Sequence, residues 1–388
     1  MPTHVGINMG STNTYISVME EGSQTPKFIT KIPTLIEIPF QKPENTAMDH
    51  KNQILGFNRL ISRMFEDPFI QKEVKKASFR IVRGPNGADT WVQASNGIMY
   101  NPSHFLEDFL MKVKEIVEAH LGYSVSTAVF TFPAKVNRCE VDVHSDATLE
   151  LFSRGYYVNE FTAAVAAYGL INKKGLYGIV DLGGKSLDVT LFQVSFGAGA
   201  SRSFNLKGPT KTDMFLGGED FDDVIVEFLM SEVKKSEGSD GIDLRKYDVA
   251  RHMLRKVAEK AKIDLSTSTE IKIDIPDIAV DESRVIKGLS VGFTRAKFEN
   301  LANELISRIK THCKNCLKNA GVKAKKVDQV LLVGGMARVP MVKRVVSEVF
   351  GKSPVTVAGV NPEEAVCLGA AAAVQAECLG ILVRSFES

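Results

Sequence analysis

The sequence predicts an α/β fold divided into two lobes, and three observations support that class. The chain has 388 residues, more than one compact core usually holds. Strand and helix patterns alternate along both halves, as is typical of α/β proteins. A strand, a glycine turn and a second strand occur twice, at residues 4–19 and 177–194. The predicted lobes are residues 1–171 together with 359–388, and residues 172–358.

Composition is that of a soluble globular protein and excludes several classes of partner. Apolar residues make up 44% of the chain and charged residues 24%. The formal net charge of +2 offers no electrostatic argument for nucleic acid or for an acidic membrane surface. We therefore expect neither a nucleic-acid partner nor a membrane partner.

The cysteines are predicted to be free thiols. Their number is odd, and the chain opens without a secretory signal pattern. Two of them form a CxxC inside a helical pattern, with no second pair of ligands to complete a zinc site. The five cysteines are Cys139, Cys313, Cys316, Cys367 and Cys378.

The first half contains a regular order of elements after its opening hairpin. Residues 105–121 have apolar positions at helical spacing and are followed by Gly122, a helix stop. Residues 126–133 form a predicted strand that ends at a proline, and a helix follows through Ser153. Residues 162–170 form a short alanine-rich helix.

The second half repeats the alternation after its own hairpin. Its predicted elements are a glycine turn and helix at 215–235, a loop at 236–241, a charged helix at 247–265, a helix capped by Thr294 and running to Asn319, a strand, glycine pair and helix at 327–350, and a last helix at 361–377 whose small residues permit close packing.

The two hairpins share one layout and are candidate phosphate-binding turns. Asn8 in HVGINMGSTNTYISVM and Asp181 in YGIVDLGGKSLDVTLF hold the same place before the turn. Glycines let backbone N–H groups approach an anion without interference from a Cβ, and successive amides form an anion nest. The turn residues are Gly10, Ser11, Thr12 and Asn13 in the first copy, and Gly183, Gly184, Lys185 and Ser186 in the second.

Further glycines and acids could complete a magnesium–nucleotide site. Gly217 and Gly218 precede Glu219, and Gly334 and Gly335 follow a strand. Magnesium requires oxygen ligands, commonly one or two carboxylates acting directly or through water. Asp181, Asp188 and Glu160 are candidates for that role; the alternative is that each is a cap or turn acid.

The ordered motifs resemble the ATPase domain of the 70-kDa heat-shock chaperones, within the actin-like ATPase fold. DLGGKSLDVT is similar to the family's second phosphate motif, and FLGGEDFD matches the family outright. AEKAKIDLS resembles its purine-contacting helix, and LLVGGMARVP and NPEEAVCLGAA resemble its adenosine region. KNCLKNAGV and VVSEVFGKSP look most like the mitochondrial branch. The resemblance implies two lobes around a central nucleotide cleft, with ATP or ADP and weakly held Mg²⁺ as cofactors.

The resemblance also implies a role for each matched residue. Phosphates would be held by both turns, magnesium or its waters by Asp181 and Glu160, and Asp188 would lie near the metal. The remaining implied nucleotide contacts are Gly217, Gly218, Glu219, Glu259, Lys262, Ser266, Gly334, Gly335, Arg338 and Glu363.

Three departures from the family bear on catalysis. The family has Asp at the position of Asn8 and a catalytic lysine at the position of Asn58, so one carboxylate and one cation are lost. Lys185 replaces a glycine of the second turn. We expect it to clash with the anion nest or to face solvent; the alternative is that its ammonium reaches phosphate and substitutes for the lost lysine.

Three functions remain open. The first is a diverged chaperone ATPase domain that binds ATP or ADP and hydrolyses ATP slowly or not at all. The second is a non-enzymatic scaffold that regulates or competes with a true chaperone. The third, a sugar or acetate kinase, fits the motifs less well. The resemblance implies nucleotide-exchange factors and J-domain co-chaperones as partners, with J-domain coupling weakened. It implies a mitochondrial location, whereas a chain without a presequence would be cytoplasmic.

Overall fold

The protein divides into two compact units. The computed structural model describes residues 3–38, 52–133, 136, 138–197, 202–235, 243–279, 285–373 and 386–387. The first unit comprises Met1–Lys174, Val194–Phe204 and Val357–Ser388, and the second comprises Gly175–Gln193 and Asn205–Thr356. The predicted loop at 236–241 and Cys378 lie outside the described residues.

Strands and helices alternate along the chain. Up to the middle of the chain they are β1 His4–Met9, β2 Asn13–Met19, β3 Lys27–Pro33, β4 Leu35–Glu37, β5 Gln53–Leu55, α1 Pro68–Lys76, β6 Arg80–Arg83, β7 Thr90–Gln93, β8 Met99–Tyr100, α2 Pro102–Leu121, β9 Thr127–Phe132, α3 Arg138–Leu151, β10 Arg154–Asn159 and α4 Glu160–Ala167.

The later elements follow the same alternation. They are β11 Gly175–Leu182, β12 Leu187–Phe196, β13 Arg202–Leu206, β14 Lys211–Asp213, α5 Gly218–Lys235, α6 Asp248–Thr267, β15 Glu270–Ala279, β16 Val285–Thr294, α7 Arg295–Leu301, α8 Asn303–Asn319, β17 Gln329–Val333, α9 Pro340–Phe350, α10 Ala365–Ala373 and β18 Phe386–Glu387.

The first unit is built on a sheet in the order β18–β10–β9–β1–β2–β3. β1 runs antiparallel to β2 and parallel to β9, and β9 runs parallel to β10. The carboxyl ends of β1, β9 and β10 therefore meet at one edge. Small residues allow α10 to pack closely, as predicted: a Cβ at Gly369 would overlap the Ala163 backbone of α4, and a Cβ at Gly6 would overlap Cys367.

The second unit is built on a sheet in the order β13–β12–β11–β17, with β14 also paired to β12. β11 and β17 are parallel, with Asp181 opposite Val333, so their carboxyl ends also share an edge. Buried apolar side chains of the strands and of α5, α8 and α9 form its core. Gly178 is needed in β11 because a Cβ there would lie 2.9 Å from the buried ring of Phe350.

The described elements confirm the predicted order and correct some boundaries. Both hairpins and the helices near 105–121, 162–170 and 247–265 are present. α2 begins earlier than predicted because Asn101 caps it, accepting a hydrogen bond from the Ser103 N–H. The prediction of a single helix after Thr294 was wrong. The buried Ala302 has φ −87° and ψ 6°, which separates α7 from α8.

Short strands were missed where the sequence signal is weak. The β6–β7–β8 meander consists of strands of four residues or fewer. The longer strands of the two-stranded sheet β15–β16 were also missed.

None of the helices in the described ranges combines the length and the apolar character that crossing a bilayer requires.

The cysteines behave as predicted wherever they are described. Cys139 is exposed, and Cys313, Cys316 and Cys367 are buried, all as free thiols. Burial raises the pKa of Cys313 to about 12 and that of Cys316 to about 11. Within the described part of the chain, no three His, Cys, Asp or Glu side chains group as metal ligands.

Candidate functional site

The first hairpin closes through a four-residue turn at residues 10–13. The Gly10 N–H donates to the Asn13 carbonyl at 3.1 Å. Two side chains hold the carbonyls at the start of the turn. The Thr34 hydroxyl donates to the Gly10 carbonyl at 2.7 Å, and Asn58 Nδ2 donates to the Met9 carbonyl at 3.1 Å. The turn backbone is thereby fixed, with Gly10 and the hydroxyl side chains of Ser11 and Thr12 at the carboxyl end of β1.

The second hairpin closes through the same turn but is held differently. The Gly183 N–H donates to the Ser186 carbonyl at 3.0 Å. Backbone amides support it, since the Gly218 N–H donates to the Gly183 carbonyl at 2.9 Å and the Glu219 N–H to the Gly184 carbonyl at 2.8 Å. The start of α5 is therefore bound directly to the second turn.

The glycine pair before α5 has a clear structural reason. A Cβ at Gly217 would lie 2.5 Å from the Gly184 carbonyl carbon and from the Lys185 nitrogen. The Gly217 N–H itself donates to Asp220 Oδ2 at 2.9 Å. The residues predicted to approach phosphate and ribose thus lie against the second turn, and the N–H groups of all three serve bonds within the protein.

One of the two polar side-chain atoms of Asn8 has a hydrogen-bond partner. The hydroxyl of Thr131, a buried residue near the end of β9, donates to Asn8 Oδ1 at 3.0 Å. Asn8 Nδ2 has no hydrogen-bond partner among the residues that the structure describes. Position 8 therefore presents a hydrogen-bond donor and no charge.

Asn58 is held firmly in its position. It lies in a 3₁₀ turn, Phe57–Leu60, in which Phe57 is fully buried against the ring of Phe109 at 5.5 Å. Its other neighbour, Arg59, forms a buried ion pair with Glu73 at 2.8 Å. Asn58 Oδ1 is buried without a hydrogen-bond partner within the described ranges. The side chain at the place of the family's lysine thus serves the first turn's backbone.

Two acids meet at the second hairpin. Burial raises the pKa of the Asp181 carboxyl, and the charge of Asp188 raises it further. The Thr212 hydroxyl donates to Asp188 Oδ1. Such a pair suits a cation that relieves the repulsion between the carboxylates. Glu160 begins α4 in the first unit, half-buried at the end of β10.

Lys185 departs from one of the two expectations favoured for it, and its clash with the anion nest stays a prediction. Its side chain is only 17% exposed, and its Nζ lies 3.7 Å from Glu219 Oε1, so the solvent-facing prediction was wrong. Among the described residues Ser62 is the one non-glycine with a positive φ, so Lys185 introduces no backbone strain into its turn. The ammonium group remains near a turn that is built for anions.

The nucleoside residues of α6 lie beside the same turn. Lys262 is buried, and its Nζ donates to the Gly218 carbonyl at 3.0 Å and to Asp222 at 2.9 Å. The Ser266 hydroxyl donates to the Lys262 carbonyl at 3.1 Å. Glu259 is exposed on the same helix. Lys262 therefore fixes α6 to the start of α5, and Glu259 remains accessible.

The last glycine pair completes this part of the second unit. Gly334 has φ +86°, and a Cβ there would lie 2.8 Å from Asp181 Oδ1, so only glycine fits. Gly335 begins a 3₁₀ turn, Gly335–Arg338, and both Gly335 and Arg338 are exposed. The strands β11 and β17 thus bring Asp181 and Gly334 together at one sheet edge, where ligands of α/β sheets commonly bind.

Glu363 has partners on the first unit's sheet. Tyr15 donates to its Oε2 at 3.2 Å, and Lys31 Nζ lies 3.8 Å from the same oxygen. Its predicted contact with nucleotide remains a prediction.

Comparisons with known proteins bear directly on these motifs. The family model described as "Hsp70 protein" matches residues 4–383. The heat shock 70 kDa protein, mitochondrial, of Solanum tuberosum is 45% identical over 382 residues, which cover 95% of this chain and 54% of that protein. Its counterpart from Pisum sativum is 44% identical over 382 residues, with the same coverage.

The chain belongs to the Hsp70 family. It spans about half the length of the curated relatives it matches. It has the Hsp70 nucleotide-binding domain, with the actin-like ATPase fold that the resemblance implied.

The residues of this Hsp70-family chain fit a magnesium nucleotide. Both turns have glycine at the residue whose N–H closes the turn, and a Cβ at Gly10 would lie 2.8 Å from the Asn13 carbonyl oxygen. The pair of Asp181 and Asp188 would supply the one or two carboxylates that protein-bound magnesium usually takes alongside phosphate oxygens.

Several supporting residues of this Hsp70-family chain were missed by sequence reasoning. Thr131 orients Asn8, Thr34 holds the first turn, Thr212 binds Asp188 and Asp222 pairs with Lys262. Three of these are threonines with ordinary β-strand character, so only their contacts identify them. Asp222 offered a signal, since an acid on the buried face of a helix requires a partner.

Proposed function

We propose that this Hsp70-family chain binds ATP and ADP, with Mg²⁺, through its two hairpin turns and hydrolyses ATP slowly or not at all. The proposal rests on the hydrogen bonds that two side-chain amides make within the protein. Asn8 is bound to Thr131, and Asn58 donates to the Met9 carbonyl. Neither side chain can add a charge to the reaction.

The expected effect on hydrolysis is large. A positioned cation stabilises charge as it develops on a transferring phosphoryl group, and losing one such donor costs on the order of 2.7–4 kcal/mol in other enzymes. A neutral amide at position 8 can neither accept a proton from water nor strengthen a metal's shell of ligands. The two losses need not add, because residues that act as a unit are strongly non-additive.

The residues that would hold the metal are Asp181 and Asp188, with Glu160 contributing through water. When bound, magnesium neutralises phosphate charge and orients the phosphates. This chain's own residues then do the rest: the turn amides and hydroxyls bind the phosphates, and Lys262 holds α6 against α5 so that Glu259 and Ser266 stay near the nucleoside.

Single-turnover hydrolysis of ATP tests this proposal. The protein–ATP–magnesium complex is isolated, and the appearance of ADP is followed over time. A stable complex that produces little ADP is the expected result. ADP formation at the rate of an active Hsp70 ATPase domain, measured in parallel, would contradict the loss of catalysis.

A non-enzymatic scaffold is the second candidate, and the use of Asn58 as a structural residue favours it. Its polar group holds the first turn together instead of serving substrate. This function predicts that no nucleotide complex can be isolated, while the chain still binds a nucleotide-exchange factor of the Hsp70 system.

We propose a mitochondrial location and exchange factors as partners, with weakened J-domain coupling. The two plant relatives are named as mitochondrial proteins, which supports the location. Phe161 stands where the family resemblance places a proline, and it is buried one residue into α4. Organelle fractionation tests the location, and a J-domain that accelerated single-turnover hydrolysis would contradict weakened coupling.

A further inference from the structure

We propose that Thr212 is a positioning residue that orients the Asp188 carboxylate toward the magnesium ion of a bound nucleotide. The inference rests on the proposed binding of magnesium nucleotide, and it adds a residue to the metal-binding part of that site. All of the residues that carry it belong to the second unit.

Two acids and a hydroxyl form a row across the second unit's sheet. The turn between β11 and β12 is closed by the bond from Gly183 to Ser186. Counting outward from that bond places Asp181 opposite Asp188 on the neighbouring strand. On its other side, Asp188 lies opposite Thr212 of β14. Because residues opposite one another in a sheet point to the same face, both carboxylates and the hydroxyl share one face, with Asp188 in the middle.

The Thr212 hydroxyl can orient Asp188 without reducing its charge. It donates to Asp188 Oδ1, which limits the rotation of the carboxylate and so fixes the direction of its second oxygen. A hydroxyl is neutral, whereas a lysine or arginine in the same place would offset the negative charge that attracts a cation. Carboxylates that bind metal ions are commonly held by a hydrogen bond from a second residue. The contact therefore has the form expected beside a metal ligand.

The strand that carries Thr212 is itself fixed by α8. β14 has only three residues, so its pairing with β12 provides few bonds. The next residue, Asp213, points to the opposite face of the strand. Its carboxylate accepts a hydrogen bond from Arg308 at 2.8 Å and lies 3.1 Å from His312 Nε2. Arg308 also donates to the Phe215 carbonyl at 3.0 Å, so the backbone on which the Thr212 hydroxyl stands is held in place.

Titration with ADP in magnesium and in EDTA tests the proposal. The quantity compared is the ratio of the dissociation constant in EDTA to that in magnesium, measured by calorimetry. Thr212→Val keeps the shape of the side chain and removes the hydroxyl, so it should lower this ratio about tenfold or more, the usual loss when the partner of a metal ligand is removed. The dissociation constant in EDTA should stay that of the unchanged chain, because the hydroxyl acts through the metal.

Replacing magnesium with calcium separates positioning from a general loss of structure. Magnesium requires nearly ideal octahedral geometry, whereas calcium accepts flexible arrangements of ligands. An Asp188 carboxylate freed by Thr212→Val should therefore weaken ADP binding more in magnesium than in calcium. An equal loss with both ions would overturn the positioning role.

Thr190→Val is the matched control. It makes the same chemical change in the same sheet, on β12, where the Thr190 hydroxyl lies 2.9 Å from that of Thr210. Its ratio should equal that of the unchanged chain. A ratio lowered as far as in Thr212→Val would overturn the inference. Thermal unfolding curves verify that both variants fold.

A conservative variant provides the rescue. Thr212→Ser keeps a hydroxyl at the same position and should retain most of the ratio of the unchanged chain. A ratio as low as that of Thr212→Val would overturn the inference, because the hydroxyl would then not be the group that acts.

Arg308→Met tests the contribution of α8. It should lower the ratio by less than Thr212→Val does, because His312 and the Phe215 N–H still contact Asp213. A ratio equal to that of the unchanged chain would overturn the part given to α8.

The outcomes separate this inference from the proposed function. A chain that binds ADP in magnesium, with the same ratio in Thr212→Val, overturns this inference alone. A chain that binds ADP equally well in EDTA also overturns it, because the acids then hold no magnesium, while nucleotide binding stands. A chain that binds ADP under neither condition overturns the proposed function itself.

Discussion

The two hairpin turns have the same backbone and different side-chain chemistry. Each is closed by a glycine N–H to the carbonyl three residues later, at 3.1 Å in the first unit and 3.0 Å in the second. The second keeps two acids, Asp181 and Asp188, and is supported by backbone amides of residues 218 and 219. The first has an amide, Asn8, and is supported by the side chains of Thr34 and Asn58 as well as by the backbone N–H of Thr34, which donates to the Thr12 carbonyl at 3.0 Å.

This difference separates what a turn needs in order to fold from what it needs in order to catalyse. A turn held by backbone amides tolerates changes of side chain at the supporting residues, except where, as at Gly217, there is no space for a Cβ. A turn held partly by side chains assigns those side chains to structure. Asn58 is the clearest example, since it now stabilises the turn and has no charge to give to phosphate.

Restoring charge to the first turn should give the largest effect. The double variant Asn8→Asp with Asn58→Lys should raise the single-turnover rate of ATP hydrolysis roughly a hundred- to thousandfold, because a positioned donor of this kind contributes about 2.7–4 kcal/mol. Rapid-quench measurement of ADP formation checks it. A double variant that binds ATP and magnesium normally, yet hydrolyses no faster, would show that the first turn does not limit catalysis.

Disturbing the residues that support the second turn should give the next largest effect, on stability and on ADP binding. Gly217→Ala places a Cβ 2.5 Å from the backbone of Gly184 and Lys185, so the start of α5 must move away. We expect a loss of about 3 kcal/mol in the free energy of unfolding, the usual upper range for overpacking, together with weakened ADP binding. Denaturant unfolding and calorimetry measure both.

Gly292→Ala is the control for that change. It lies in the same unit on β16, where an added Cβ would meet Glu270 Oε1 at an ordinary 3.7 Å. Equal losses in the two variants would contradict the special role of Gly217.

Acid should destabilise the unit that contains the first turn through His144. This side chain lies on α3 against Phe132 of β9, and burial lowers its pKa to about 3. Between pH 6.5 and about 3 the imidazole takes up a proton only in the unfolded chain, so stability falls as pH falls, by about 1.4 kcal/mol per unit.

Unfolding free energies measured from pH 6.5 to 4.5 check this effect. His144→Leu should flatten the dependence by that amount. An identical slope in His144→Leu would mean that the imidazole stays neutral in both states or charged in both.

Relieving backbone strain near Asn58 should give the smallest effect. Ser62 has φ 55°, in the left-handed region that costs a side-chain-bearing residue about 1–2 kcal/mol, and it is exposed. Ser62→Gly removes that cost but adds freedom to the unfolded chain, so we expect a net gain of about 0.5–1 kcal/mol in the free energy of unfolding. A decrease in stability would indicate that the serine makes a contact worth more than the strain.

Much of the fold was readable because its signals are local. Alternation of apolar residues, the repeated glycine turns and the cap at Thr294 predicted the hairpins and most helices. The break at Ala302 was not readable, because a buried alanine is an ordinary helix residue and only packing moves its backbone out of the helix. Strands as short as β8 carry too few residues to show a period.

For the candidate site, the sequence by itself determined which chemical groups are present: an amide at position 8, an amide at position 58, a lysine at position 185 and two acids in the second hairpin. Only the tertiary structure decided what those groups can do. Thr131 leaves Asn8 with a free donor, Met9 takes the donor of Asn58, and Glu219 holds Lys185 near its turn. The two residues of each pair are distant in the chain, so no local sequence pattern records the contact. Folding alone brings them within hydrogen-bond or ion-pair distance.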